Sequence, residues 1–174
     1  GKHFPSRRHN TVENAFRWHA DRKEQAMSYE NTNYHKRSVL MRMSLHVGNM
    51  LDQASKDNHV TKALIIRLAA TMVEPGELVA KNKKPFRAPR FRTGHTDWKD
   101  DKQYRSVLAK LSDAEYELVS RAAVGMDMAR GPWLALKVEQ LLSSPRLREL
   151  LEDATYIEAN EKAQNILQQS KGSR

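Results

Sequence analysis

Apolar residues recur along most of this chain at the three- and four-residue spacing of amphipathic helices. Between residues 36 and 56, Val39, Met43 and Val47 fall on one helical face. We find no stretch that requires the strict alternation of a strand. The pattern predicts an all-α protein of about seven helices, over residues 11–29, 36–56, 60–73, 98–111, 112–130, 133–143 and 144–168.

Local signals set the ends of several of these helices. Ser112 is followed three residues later by Glu115, which is a capping box and predicts a helix start. Asp57-Asn58 predicts a break, and Gly131-Pro132 predicts the boundary between two helices. Pro145 after a serine is typical of the first position of a helix.

A stretch rich in Pro, Arg and Phe interrupts the helical pattern and divides the chain. So long a connection without structure of its own is uncommon inside a compact domain and is usually a linker or a functional segment. We therefore expect a basic N-terminal arm (1–10), a basic helical group (11–80), an extended connector (81–97), an acidic helical group (98–169) and a polar tail (170–174).

Charge is distributed unevenly between these parts. The 174 residues carry a net charge of +9, with a pI near 9.9. Residues 1–111 hold 22 Lys and Arg against 11 Asp and Glu, whereas residues 112–169 hold 6 against 10. Such a balance favours a polyanionic partner for the first part of the chain.

Catalytic and metal-binding chemistry finds no support in the sequence. There is no cysteine, no phosphate-binding glycine loop and no pair of histidines at metal-ligand spacing. Asp97, Asp100 and Asp101 are better explained as acids at a helix start than as a magnesium site. No apolar run approaches the roughly 18 residues of a membrane span. We predict a non-enzymatic protein without cofactor, metal or transmembrane segment.

The segment KNKKPFRAPRFRTGH (81–95) combines six basic residues with two phenylalanines and two prolines. Arginine contacts phosphate, aromatic rings stack on bases, and proline lowers the cost of ordering an extended arm. The N-terminal arm has the same composition, which favours RNA contact over a solvated linker. The predicted RNA-binding residues are Lys2, Arg7, Arg8, Lys36, Arg37, Lys81, Lys83, Lys84, Phe86, Arg87, Arg90, Phe91 and Arg92.

These features are similar in composition and layout to ribosomal and other ribonucleoprotein proteins. We accordingly predict a structural subunit of a large ribonucleoprotein, with a mitochondrial ribosomal protein that contacts rRNA as the favoured case. Its C-terminal helices would contact neighbouring proteins, and its location would be mitochondrial or otherwise cytoplasmic. An alternative is an accessory scaffold subunit of a mitochondrial respiratory or ATP synthase complex without RNA. A third is a DNA-binding domain that reads bases with Arg37 and Arg42 from the helix at 36–56.

Overall fold

The computed structural model describes residues 37–74, 76–78 and 104–172, all within the compact unit formed by Tyr34–Arg174. This part of the chain is mostly helical, as predicted, but it also contains a two-stranded sheet. In chain order the elements are β1 (Arg37–Ser44), α1 (Leu45–Asp57), α2 (Lys62–Ala70), β2 (Tyr104–Leu111), α3 (Asp113–Gly125), α4 (Arg130–Leu142), α5 (Leu147–Glu152) and α6 (Tyr156–Gly172).

The predicted helix at 36–56 is wrong over its first half, which forms β1. Along this strand Val39, Met41 and Met43 are buried, whereas Leu40 and Arg42 are exposed. Apolar residues at 39, 40, 43 and 47 fit a helical face, while those at 39, 41 and 43 fit an alternating one, so the local pattern was ambiguous. The helix begins only after Ser44, whose side chain accepts a hydrogen bond from the Val47 amide at 3.2 Å.

The predicted helix at 98–111 is likewise wrong over 104–111, which form β2. This strand pairs with β1 in antiparallel fashion, from Arg37 opposite Leu111 to Ser44 opposite Tyr104. Its inward side chains include Ala109 and Leu111, which are buried. Each strand is stabilised by pairing with a strand that is distant in sequence. The local sequence of β2 alone was therefore not enough to predict that it forms a strand.

The two strands begin two similar halves, which we call the first unit (β1, α1 and α2) and the second unit (β2, α3 and α4). Both strands contain Arg-Ser-Val-Leu, and a serine at the equivalent position, Ser44 or Ser112, caps the following 13-residue helix. Equivalent positions lie 68 residues apart throughout, including the helix starts and the left-handed turn residues. The matching pairs include Arg37 and Arg105, Ser44 and Ser112, His59 (φ 52°) and Asp127 (φ 53°), and Lys62 and Arg130.

The later helices begin and end at other residues than predicted. The capping box of Ser112 and Glu115 is confirmed, but α3 ends at Gly125 rather than near residue 130. Gly131 and Pro132 lie in the first turn of α4, where proline needs no backbone donor. The predicted helix at 144–168 is two helices, because residues 153–155 separate α5 from α6.

Buried ion pairs join the two units. Arg67 of α2 donates from Nε to both carboxylate oxygens of Glu115 in α3 at 2.8 Å, and both side chains are almost fully buried. Lys137 of α4 pairs with Glu77 at 2.9 Å, again with both side chains buried. The first pair joins the two units, and the second joins the second unit to Glu77, which follows α2 in sequence. The two halves therefore share a single interior.

The last helix, α6, covers this interior from one side. Ala163 and Leu167 pack on Leu118 of α3, and the Tyr156 hydroxyl hydrogen-bonds with the Thr61 hydroxyl at the start of α2. The sheet is therefore backed by helices on its inner face, while its outer face is exposed to solvent.

Candidate nucleic-acid interface

The two-stranded sheet, which we call the ribbon, carries a short row of polar and aliphatic side chains on its outer face. Side chains alternate between the two faces along each strand, and none of the side chains on the outer face is acidic. The exposed side chains of this face are Ser38, Leu40 and Arg42 from β1 and Tyr104, Ser106, Leu108 and Lys110 from β2.

Leu40 and Leu108 lie at the centre of the ribbon. They occupy equivalent positions in the two units and also face each other in the strand register. An approximate two-fold axis therefore passes between them. Leu40 is 61% exposed and Leu108 is 57% exposed, whereas apolar residues on the inner face of the sheet, such as Met41, are buried.

Arg42 and Lys110 are also equivalent, two residues beyond the central leucines in each strand. Because the strands are antiparallel, these two cations lie toward opposite ends of the ribbon. The Arg42 guanidinium lies over the exposed Tyr104 ring, 5.7 Å from its centroid. The outer face thus presents one long basic side chain on each side of an aliphatic centre.

Further basic residues flank the ribbon at the end where β2 begins. Asp52 of α1 accepts a hydrogen bond from Arg105 Nη1 at 2.6 Å and forms an ion pair with Lys62. Hydrogen bonds from Lys62 and then Arg105 lower the pKa of Asp52 to about 2, and burial opposes this shift. This carboxylate is therefore charged at every pH near neutrality.

The opposite end of the ribbon has a related but different cluster. The guanidinium groups of Arg37 and Arg130 lie over the Tyr116 ring, at 5.4 and 4.9 Å from its centroid. Arg130 Nε donates to the Ser120 hydroxyl at 2.6 Å. Arg37 also pairs with the carboxylate of Asp113, at 3.7 Å between two exposed groups.

Of the residues predicted to bind RNA, only Arg37 falls in the described part of the chain, where it begins β1 and lies beside the ribbon. The remaining predicted residues lie outside the described residues. These are Lys2, Arg7, Arg8, Lys36, Lys81, Lys83, Lys84, Phe86, Arg87, Arg90, Phe91 and Arg92.

Sequence reasoning missed the outer face of the ribbon altogether. Arg42 was considered, but on a helix, and Lys110 and the two central leucines were not considered as contacts. The repeated Arg-Ser-Val-Leu at 37 and 105 was the available signal, since each copy precedes a capped helix at the same distance. Alignment of the chain with itself at a shift of 68 residues would have found it.

Other kinds of site are not seen in the part of the chain that is described. Among residues 37–74, 76–78 and 104–172, no three His, Asp or Glu side chains are grouped so as to hold a metal ion. None of the helices described there is long and apolar enough to cross a membrane.

Comparison with known proteins identifies no relative. No family model, no curated protein and no solved structure matches this chain. Its function has therefore to be inferred from its own geometry and chemistry.

Proposed function

We propose that this protein binds double-stranded DNA by inserting the ribbon into the major groove. The observation that carries the proposal is the exposed outer face, with Arg42 and Lys110 placed symmetrically about Leu40 and Leu108. The major groove of B-form DNA is about 12 Å wide and admits a two-stranded antiparallel ribbon. Proteins that read DNA in this way present strand side chains to the base edges.

The side chains on the outer face have the chemistry that base reading requires. Arginine and lysine donate to the O6 and N7 acceptors of guanine, and serine bonds with several base edges. Apolar side chains contact the methyl group of thymine in the major groove. This contact would explain why two leucines are exposed at the centre of the outer face. The flanking cations Lys62, Arg105, Arg37 and Arg130 are placed to meet phosphates on either side of the groove.

The symmetry of the ribbon matches the symmetry of the proposed ligand. Duplex DNA has local two-fold axes perpendicular to its length, and two-fold DNA-binding proteins bind approximately palindromic sites for this reason. In this protein the approximate two-fold axis between Leu40 and Leu108 relates two halves of the same chain rather than two subunits. We expect an approximately palindromic site with A·T pairs at its centre and G·C pairs to either side.

Apart from Arg37, the residues of the ribonucleoprotein prediction lie outside the described part of the chain, and it stays a prediction. The ribbon itself favours DNA over duplex RNA, because the major groove of A-form RNA is too deep and narrow for side chains to read. The basic connector lies between α2 and β2 in sequence and is compatible with added backbone contacts to either nucleic acid.

The proposal is tested by selecting bound molecules from a random duplex DNA library and measuring affinity by fluorescence anisotropy. We expect the double variant Arg42→Ala/Lys110→Ala to lose preference for the selected site, with each contact worth about 1–3 kcal/mol, or roughly 5- to 150-fold. The matched control Lys162→Ala/Lys171→Ala removes the same charge from exposed positions of α6. We expect that control to keep the preference.

The same measurement is made with duplex RNA and with single-stranded RNA. Tight binding to RNA with no preference among DNA duplexes would remove the proposal and strengthen the ribonucleoprotein prediction. Equal losses in the ribbon variant and the α6 control would show that binding reflects net charge alone.

A further inference from the structure

The two ends of the ribbon have equivalent cations but different neighbours. At each end an arginine from the strand start meets the first residue of the second helix in a unit. One end combines Arg105 with Lys62, and the other combines Arg37 with Arg130. These four residues form two equivalent pairs, 68 positions apart in each case.

At the first end, both cations are paired with one carboxylate. Asp52 accepts from Arg105 Nη1 at 2.6 Å and also pairs with Lys62. Gly48 leaves the room that Arg105 needs, because a Cβ at that position would lie 3.0 Å from Arg105 Cδ. A phosphate that approaches this end meets cations that are already neutralised in part, and it meets the charge of Asp52.

At the second end, the position equivalent to Asp52 is Ser120, and the position equivalent to Gly48 is Tyr116. The Ser120 hydroxyl accepts from Arg130 at 2.6 Å but carries no charge. The Tyr116 ring supports both guanidinium groups from one side. Arg37 pairs with the solvent-exposed Asp113 at 3.7 Å, and such surface pairs are weak and screened by salt.

We propose that the Asp52/Ser120 difference gives the ribbon a polarity, so that the Arg37/Arg130 end holds DNA phosphates more tightly than the Arg105/Lys62 end does. This inference rests on the proposed function. Protein cations that neutralise phosphates release the counterions condensed on the DNA into solution, which favours binding. At one end Asp52 already neutralises part of the cationic charge. The proposed base-reading residues also differ between the two ends, since Arg42 lies toward the Asp52 end and Lys110 toward the Ser120 end.

Three variants separate this polarity from folding. Asp52→Ser makes the first end resemble the second, Ser120→Asp does the reverse, and the double exchange Asp52→Ser/Ser120→Asp inverts the arrangement. Asp52→Asn keeps the shape and the hydrogen-bond acceptor without the charge, and we expect it to behave as Asp52→Ser does. Circular dichroism shows whether each variant retains its helix content before binding is measured.

Affinity is measured for the selected duplex across a salt titration. With Asp52→Ser we expect tighter binding and a steeper dependence of log K on log salt, by about 0.9 for each additional phosphate neutralised. With Ser120→Asp we expect weaker binding and a shallower slope. If Asp52→Ser and Asp52→Asn both bind like the parent protein at all salt concentrations, Asp52 does not set the polarity.

The double exchange Asp52→Ser/Ser120→Asp moves the carboxylate from one end to the other without changing the net charge, and we expect its salt slope to return to that of the parent protein. Unchanged salt slopes in both single variants would overturn the polarity while leaving DNA binding intact, whereas failure to bind duplex DNA would overturn both proposals.

Discussion

At the scale of single residues, the most consequential finding is a charged pair inside the protein. Burial raises the pKa of Glu115, an effect that the Arg67 guanidinium opposes. Glu115 also accepts a hydrogen bond from the Ser112 amide, so it acts both in the capping box and in the ion pair. The sequence predicted the cap because its spacing is local. It did not predict the pair, because Arg67 is 48 positions away.

Arg67→Met is expected to destabilise the protein by about 3–5 kcal/mol, because it leaves the Glu115 carboxylate buried without its cation. The double variant Arg67→Met/Glu115→Leu is expected to lose less than Arg67→Met alone, since no buried charge remains. Urea unfolding followed by circular dichroism measures both.

The exposed pair of Arg146 and Glu149 provides the matched control for this comparison. Their charged groups lie 2.8 Å apart at the surface, and Arg146→Ala is expected to change stability by no more than about 1 kcal/mol. A double variant that is less stable than Arg67→Met would mean that the ion pair contributes more than its cost of burial.

At the scale of elements, the helices could be predicted in large part and the strands could not. α2 and the start of α3 follow from apolar periodicity and from a capping box, both of which act over a few residues. β1 and β2 have only eight residues each, and each depends on the other for its hydrogen bonds. The need for glycine at position 131 could not be predicted either, because it comes from the close approach of Leu40, some 90 residues earlier in the chain.

Gly131→Ala is expected to destabilise the protein by about 1–3 kcal/mol through overpacking. A Cβ there would lie 2.3 Å from the Leu40 carbonyl oxygen, and both partners are backbone, so neither can turn away. Since Leu40 is central to the ribbon, we also expect weaker DNA binding. Thermal unfolding and the anisotropy assay measure the two effects.

Gly172→Ala serves as the control for Gly131→Ala. No atom lies within 4 Å of a Cβ added at Gly172, and alanine has the higher helix propensity. We expect unchanged or slightly increased stability. Similar stability losses in both variants would contradict the close approach of α4 to β1.

At the scale of the whole molecule, the two units are parts of a single folding unit. Each contributes one strand to the ribbon, and a two-stranded sheet is marginal unless it packs on other elements. The ion pair of Arg67 with Glu115 crosses between the halves, and Lys137 joins the second unit to Glu77, which follows α2 in sequence. The sequence indicated two helical groups of different charge, but the interior that they share arises from contacts between distant residues.

We therefore expect the described part of the chain to unfold in one cooperative transition. Helix content is followed by far-ultraviolet circular dichroism, and the second unit is followed by fluorescence of the fully buried Trp133 in a Trp18→Phe/Trp98→Phe background. Coincident midpoints and slopes in urea are expected. Separate transitions would mean that the second unit is stable without the first.

The covalent connection between the two strands has a consequence for how the surface behaves on dilution. When a two-fold surface is assembled from separate chains, its stability depends on their concentration. Here the 33 residues between α2 and β2 keep the strands together at an effective concentration that bulk dilution does not change. Saturation curves should accordingly stay hyperbolic at the lowest protein concentrations. A defective copy of the protein should also be unable to exchange strands with an intact one and inactivate it.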